Sequence, residues 1–185
     1  KLRAAVKREG QPIERFVRAY YEGVAPELLL EFSADELYGA AMALWRFSAR
    51  RTQGGPKIRV YNPHHEEHGW SSTHSVVEIV NDDMPFIVDS VVAALNRQDL
   101  IVHLLVHPVM RVRRDSDGKL LDVLDPSASD GQTESILHIE VSQRSGQAAL
   151  DAIRDILGSV LRHVRDAVND WPTMGKRVDE LIDEL

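Results

Sequence analysis

The chain has 185 residues, of which 43% are hydrophobic and 28% charged, and its formal net charge is −7. This balance is typical of a folded globular domain, and the negative charge argues against a general affinity for nucleic acid or anionic membranes. The absence of cysteine excludes disulfides, thiolate metal ligands and a cysteine nucleophile. No apolar run reaches the roughly 20 residues of a membrane span, and we expect a cytoplasmic location.

Both ends of the sequence look like cuts through a longer protein. The chain opens with Lys1-Leu2-Arg3 and has no initiator methionine. It closes with apolar residues at helical spacing and no cap after them, namely Val178, Leu181, Ile182 and Leu185. We therefore expect the chain to be a fragment of a larger protein.

The first part of the chain predicts helices. Apolar residues recur at helical spacing after Pro12, which suits a first helical turn. The run Ser33-Ala34-Asp35-Glu36 is a capping box, in which the serine hydroxyl can serve the amide of Glu36 while the Glu36 side chain reaches back. Gly54-Gly55-Pro56 ends the segment, so we expect residues 1–55 to form a helical attachment to the next domain.

Beyond residue 56 the apolar residues alternate with polar ones, which indicates β-strands. Asp82-Asp83-Met84-Pro85 is predicted to open an amphipathic helix, because acidic residues and proline suit a first turn, and a longer helix is predicted over residues 147–168. Trp171-Pro172 is expected to break the longer helix, and a final helix is predicted to follow it to Leu185. Strands are predicted over residues 57–61, 73–80, 100–113, 119–124 and 135–141.

This order of elements predicts an α+β sandwich over residues 56–170. Its antiparallel sheet should have two helices on one face. Residues 171–185 are expected to form a helix that leads to the next domain of a longer protein.

The chain lacks the short motifs of common catalytic sites. It contains no G-x-G-x-x-G or G-x-x-x-x-G-K loop for a nucleotide, no H-E-x-x-H zinc motif and no nucleophile elbow. We therefore expect no complete catalytic site in this chain.

His64, His65 and His68 form a histidine-rich segment that follows Asn62-Pro63 and is predicted to be a loop. A zinc site needs three or four ligands in a defined geometry, and nothing in the sequence fixes one here. A solvated loop is the simpler interpretation, and a small histidine-rich metal-binding domain is the alternative.

Histidine and glutamate alternate with apolar residues along the predicted strands. Because side chains of a strand alternate between two faces, the apolar rows should lie under the two helices and the polar rows on the open face of the sheet. This open face would be either solvated or an interface with another domain or subunit. The candidate interface residues are His74, Glu78, His103, His107, His138 and Glu140.

Asn81-Asp82-Asp83-Met84 lies where a predicted strand gives way to a helix. Such junctions expose free backbone amides and often hold small ligands. The two carboxylates would suit a ligand with an ammonium or guanidinium group, and we name these four residues as a candidate effector site. In the alternative, the carboxylates cap the helix and complement its dipole.

Arg111, Arg113 and Arg114 lie near Lys119 at the end of a predicted hairpin. In an acidic chain, we expect these residues to form a solvated or salt-bridged hairpin and not a nucleic-acid site.

Four separated segments together resemble the N-terminal region of the large bacterial NAD-dependent glutamate dehydrogenases. They occur in the same order as in that family. The segments are residues 68–72, with His68-Gly69-Trp70-Ser71-Ser72, residues 77–90, residues 103–109 and residues 134–140.

The resemblance implies a fold and a role. It implies an ACT-like domain with ferredoxin-like order, whose missing fourth strand would come from residues 57–61 or from the arm after Lys119. It also implies a full-length homo-oligomeric enzyme that oxidises L-glutamate with NAD to 2-oxoglutarate and ammonia, with the catalytic and NAD-binding domains downstream and no cofactor in this fragment. The chain would then be a regulatory or assembly domain that contacts the rest of the polypeptide and responds to an amino-acid effector, or else a purely structural scaffold.

Overall fold

Six strands form one antiparallel sheet in the computed structural model, which describes residues 2–30 and 32–183. Lys1 and Leu185, named in the predictions above, lie outside the described residues. The strands are β1 (Lys57–Tyr61), β2 (Ser75–Asp82), β3 (Val102–Val106), β4 (Val109–Arg114), β5 (Leu120–Val123) and β6 (Gln132–Val141).

Helices precede, interrupt and follow the sheet. None of those in the described ranges has the length and apolar character needed to cross a membrane. They are α1 (Leu2–Tyr21), α2 (Pro26–Leu29), α3 (Ala34–Ser48), α4 (His65–His68), α5 (Ile87–Asn96) and α6 (Gln147–Asp183).

The central strand β6 has β2 on one side, and β3 and β4 one after the other on the opposite side. Val106 of β3 pairs with His138, and Val109 of β4 pairs with Ser135. The single strand predicted over residues 100–113 is therefore wrong. It breaks at His107-Pro108, because proline has no N–H to donate to the ladder.

The missing fourth strand of the ACT-like unit is β1. In the ferredoxin-like order that strand follows the second helix and pairs with the first strand at the sheet edge. Here β1 precedes β2 and pairs with it antiparallel at that edge, with Tyr61 opposite Val76. The arm after Lys119 forms β5 and pairs with β4 at the other edge, so the first of the two predicted sources is the correct one.

Helices α5 and α6 cover one face of the sheet, as the alternating pattern predicted. Val77 and Ile79 of β2 lie beside the apolar residues of β6, and all are fully buried. The same core contains Leu137, Ile139, Val91, Leu95, Leu157 and Leu161.

Helices α1 and α3 cover the opposite face, so the prediction that this face is open is wrong. Phe16 and Tyr20 of α1 and Leu44 of α3 share a buried cluster with Val80 and Ile136 of the sheet. These apolar residues alternate with the polar row on the same face. They attract the amphipathic N-terminal helices, which must also bury an apolar side.

The capping box at the start of α3 is confirmed. The Glu36 amide donates to the Ser33 hydroxyl, and the Ser33 amide donates to the Glu36 carboxylate. The predicted break at Trp171-Pro172, in contrast, is wrong, because α6 continues through both residues to Asp183. A proline removes one backbone hydrogen bond, and the helix tolerates this loss where Trp171 is 71% exposed and the backbone can reach water.

Candidate functional site

The predicted effector residues Asn81, Asp82, Asp83 and Met84 lie at the end of β2, but two of them already have cationic partners. The Arg165 guanidinium donates to Asn81 Oδ1 and to Asp82 Oδ2, at 2.8 Å each. Arg51 donates to the other oxygen of Asp82. The Asp82 carboxylate is therefore neutralised within the chain and is not free to receive a ligand ammonium group.

Asp83 and Met84 have different surroundings. The Ser135 hydroxyl donates to Asp83 Oδ1 at 2.6 Å, and His107 Nε2 lies 3.2 Å from the same hydroxyl. Burial lowers the pKa of His107, and Asp83 partly opposes this effect. Met84 packs against the core under α5 and α6. Asp83 is thus the one exposed carboxylate among the four predicted residues.

The side chain of Arg51, which is 1% exposed, organises a charged network beneath α3. It donates to Glu134 Oε1 at 2.9 and 3.1 Å and to the Gly55 carbonyl at 3.0 Å. Arg114 donates to both oxygens of Glu134 at 2.8 Å. Burial alone would raise the pKa of Glu134, but the two arginines hold it below its usual value. Glu134 is therefore a buried carboxylate shared by two cations.

Gly118 allows the chain to approach Arg51 closely. Its φ is +75°, and a Cβ atom there would lie 1.9 Å from the Arg51 carbonyl oxygen. The Arg51 amide donates to the Gly118 carbonyl at 3.0 Å, and Arg114 donates to the same carbonyl at 2.9 Å. The basic hairpin end predicted from sequence is salt-bridged, at the surface through Arg113 and Asp130 and in the interior through Arg114.

A second polar group, here called the His138 cluster, consists of Glu78, His138 and Glu140 on the face beneath α1 and α3. The His138 side chain is 2% exposed and lies between the two carboxylates. Its Nδ1 is 3.7 Å from Glu78 Oε1, and its Nε2 is 3.8 Å from Glu140 Oε1. Both distances exceed hydrogen-bond length, so the ring interacts with the two carboxylates electrostatically and without a direct hydrogen bond.

Each carboxylate of the His138 cluster has further partners. Arg59 and the Tyr61 hydroxyl donate to Glu78, the hydroxyl at 3.0 Å. The Ser72 hydroxyl donates to Glu140 Oε2 at 2.8 Å, and His74 Nδ1 lies 3.0 Å from the same oxygen. The cluster is thus fixed by residues of β1 and of the segment before β2.

The ionisable groups of the His138 cluster shift one another's pKa values. Burial lowers the pKa of His138, but the carboxylates of Glu140 and Glu78 raise it above its ordinary value. Burial likewise raises the pKa of Glu78 and of Glu140, but His138 and the other partners bring both below the usual value. These directions favour an imidazolium between two carboxylates.

A cavity of about 530 Å³ lies between the N-terminal helices and this face of the sheet. Most of its wall is apolar and comes from α1, α2, α3 and β3. One end is polar. This polar end includes His138, Glu140, Trp70, Ser72 and His74.

The candidate interface residues divide into two groups. Glu78, His138 and Glu140 are buried against this chain's own residues, so they are not available to another domain. His103 is exposed, and its ring lies 4.2 Å from the ring of His74, whose Nδ1 faces Glu140. His107 lies apart, beside Ser135.

The histidine-rich segment forms the short helix α4, so the prediction of a loop is wrong. His68 Nδ1 accepts from the His64 amide at 3.0 Å, and its ring lies 4.7 Å from the Tyr61 ring. Within residues 2–30 and 32–183, no three histidine, aspartate or glutamate side chains are grouped as a metal site would require. The sequence contains no glycine-rich dinucleotide loop of the kind that holds NAD in Rossmann folds.

Comparison with known proteins places these features in context. A family model described as "Glutamate dehydrogenase, ACT1 domain" matches residues 16–157. The NAD-specific glutamate dehydrogenase of Halomonas elongata is 39% identical over 181 residues, which cover 97% of this chain and 11% of that protein. The enzyme of the same name from Pseudomonas aeruginosa is 34% identical over 170 residues, covering 90% of this chain and 10% of that protein. The chain thus spans about a tenth of the length of these relatives.

Proposed function

The chain belongs to the glutamate dehydrogenase ACT1 domain family, and from this premise we propose that it is a non-catalytic regulatory or assembly domain of an NAD-specific glutamate dehydrogenase. The whole enzyme would convert L-glutamate, NAD and water to 2-oxoglutarate, ammonia and NADH. It would act in the cytoplasm, and its catalytic and NAD-binding residues would lie outside this chain.

The observation behind this proposal is the small share of the relatives that the chain covers. About nine tenths of each relative's length lies outside the matched region. This chain, moreover, devotes its buried charged residues to ion pairs that join its own segments, as Arg51 does for Glu134 and Asp82. Such pairing supports a structural or regulatory role for this domain, with catalysis carried out by other domains.

The exposed apolar residues of α6 support an assembly role. Trp171 and Met174 are more than half exposed, and Leu181 and Ile182 follow on the same helix. At about 3.6 residues per turn these four residues lie on one side of α6, and exposed apolar residues grouped in this way mark contact with a partner. We propose that this part of α6 contacts the remaining domains of the polypeptide or a second subunit of a homo-oligomer.

An amino-acid effector would bind at the end of β2, near the exposed Asp83. The competing candidate is a purely structural scaffold with no ligand. It is favoured by one observation, the neutralisation of Asp82 by Arg51 and Arg165. The two candidates differ in whether the enzyme responds to amino acids through this chain.

The test uses the full-length dehydrogenase and its initial rates of glutamate oxidation. A panel of common amino acids at millimolar concentration should include one that changes the KM or kcat of the wild-type enzyme, and Asp83→Ala should abolish that response without changing the basal rate. The matched control is Asp89→Ala, another exposed aspartate on the neighbouring helix, which should retain the response. A response that survives Asp83→Ala would favour the scaffold.

The assembly role is tested separately, by measuring the mass of the oligomer. In the full-length enzyme, Trp171→Ser combined with Met174→Ser should lower the oligomer mass measured by analytical ultracentrifugation. If substitution of a single exposed residue of this chain abolished catalysis while leaving the oligomer mass and the effector response unchanged, the non-catalytic role would be refuted.

A further inference from the structure

We propose that the cavity between the N-terminal helices and the sheet binds a small, largely apolar molecule with one uncharged head group that both donates and accepts a hydrogen bond. A primary amide or an alcohol is such a head group. This site lies by Trp70 and Ser72, before the start of β2, whereas the effector residues discussed above lie at the end of the same strand. The inference therefore stands independently of the proposed regulatory role.

The walls of the cavity define the apolar part of the ligand. A volume of about 530 Å³ is within the usual range of small-molecule pockets, which is roughly 300–1,000 Å³. Leu28 and Phe32 are partly exposed, 43% and 37% respectively, which places them at the mouth of the cavity. The remaining apolar wall includes Tyr20, Val24, Leu29, Leu37, Leu104 and Val106.

The polar end provides a second observation that points to a ligand. His138 and Glu140 both line the cavity, and His138 Nε2 lies 3.8 Å from Glu140 Oε1, too far for a direct hydrogen bond. Neither atom has another hydrogen-bond partner among the described residues, since Ser72 and His74 contact the other oxygen of Glu140. Polar groups inside folded proteins are nearly always hydrogen-bonded, so these two atoms at one end of a cavity indicate a guest group that bridges them.

The charge balance of the polar end selects the head group. Glu78 is paired with Arg59, and Glu140 faces His138 across 3.8 Å. With an imidazolium at His138, these four charges cancel. A charged ligand group would leave one charge uncompensated in a buried place, which is costly.

The second carboxylate near the cavity does not alter this balance. Glu36 lines the mouth, but its carboxylate is exposed and is hydrogen-bonded to Ser33 in the capping box. Solvent therefore screens its charge. An amide or hydroxyl group at the inner end could accept from the His138 ring and donate to Glu140 Oε1, the oxygen that has no direct hydrogen bond.

Three probes of one shape and different charge test the head group. Phenylacetamide, phenylacetate and 2-phenylethylamine are titrated by calorimetry into the full-length dehydrogenase and into this chain. We expect phenylacetamide to bind and the anion and the cation to bind at least about tenfold more weakly, because each would bury an unpaired charge. Preferential binding of either charged probe, or no binding of any probe at millimolar concentration, would overturn the proposal.

Two variants locate the binding. Val24→Phe places a larger side chain in the cavity wall and should abolish phenylacetamide binding, whereas Val109→Phe, at an exposed position on β4, should leave it unchanged. His138→Phe removes the polar end and should weaken phenylacetamide about tenfold. Circular dichroism establishes that each variant is folded. Unchanged binding in folded Val24→Phe and His138→Phe would refute the site, and the effector test on glutamate oxidation would be unaffected.

Discussion

The two faces of the sheet are closed in different ways. Beneath α5 and α6, β2 and β6 present mainly apolar side chains to the helices, such as Val77 and Leu137, with the amide of Asn81 bound to Arg165 near the end of β2. Beneath α1 and α3, the same two strands place Val80 and Ile136 beside four buried ionisable residues. Those four are Glu78, Glu134, His138 and Glu140.

This difference shows how specificity is distributed in the domain. Burial of apolar surface is non-directional, so many side chains of similar volume could close the first face. The second face requires a cationic partner for each buried carboxylate. Arg51 and Arg114 pair with Glu134, Arg59 pairs with Glu78, and Glu140 faces His138. A buried ion pair adds little net stability, but the loss of one partner is severe. The polar face therefore fixes which segments lie together.

The largest effect should come from Arg51→Ala, which removes a cation from the polar face. Glu134, which is buried, would keep Arg114 alone, and Asp82 would keep Arg165 alone. A hydrogen bond to a charged group contributes about 1.5–3 kcal/mol, so the loss of both contacts should lower the free energy of unfolding by roughly 3–5 kcal/mol, measured by urea denaturation. Arg113→Ala is the matched control, because its ion pair with Asp130 is exposed and screened by solvent, and its loss should lower the free energy of unfolding far less. If both variants lost the same free energy of unfolding, the buried network would stabilise the fold no more than an exposed ion pair does.

A comparable but smaller loss is expected from Leu137→Ala on the apolar face. Leu137 is fully buried in the centre of β6, and its truncation leaves a cavity that costs roughly 2–5 kcal/mol. Leu121→Ala, on the exposed side of β5, should cost less than about 0.5 kcal/mol. Urea denaturation of both variants compares the faces directly. A smaller loss for Leu137→Ala than for Leu121→Ala would contradict the assignment of the core.

The two faces should also differ in their response to pH. Because folding raises the pKa of His138, its contribution is fully present below the unfolded value of about 6.5 and is lost as the pH rises through the folded pKa. Folding lowers the pKa of Glu78 and of Glu140, so their contribution is lost as the pH falls through the folded pKa values.

The difference in unfolding free energy between wild type and His138→Phe, measured by urea denaturation from pH 5 to pH 9, isolates this contribution. We expect wild type to lose stability relative to the variant as the pH rises above about 6.5. A difference that stays constant over this range would show that His138 does not change its charge there.

The smallest effect should come from Ser33→Ala at the exposed start of α3. It removes the acceptor of the Glu36 amide and should lower the free energy of unfolding by about 1 kcal/mol in thermal or urea denaturation. Ser33→Asp, which restores an N-cap acceptor, should remain close to wild type. If Ser33→Ala and Ser33→Asp lowered the free energy of unfolding equally, the capping box would not stabilise α3.

Local signals in the sequence predicted much of this fold. The capping box at Ser33, the strand over residues 57–61 and the alternation in β2 and β6 each depend on neighbours within a few residues. The proline signals failed in both directions. Pro108 interrupts a predicted strand because a strand ladder needs a backbone N–H that proline lacks. Pro172 lies in an exposed stretch of α6, which tolerates the loss of one backbone hydrogen bond.

The charged network was beyond such local reasoning. Arg51 donates to Glu134, 83 residues further along the chain, and no spacing rule connects them. One signal was available, since carboxylates in strongly apolar strands predict buried cationic partners. That signal indicates that a partner exists but does not identify which arginine provides it.

The position of β1 before β2 also affects how the chain can fold. Tyr61 pairs with Val76 across a single connection, residues 62–74, whereas an edge strand placed after α6 would have to find β2 across most of the domain. Contacts between residues close in sequence lower the contact order and speed folding, because less loop entropy is lost before they form. We therefore expect the β1–β2 hairpin to form early, and during synthesis it can close the sheet edge before α6 has left the ribosome.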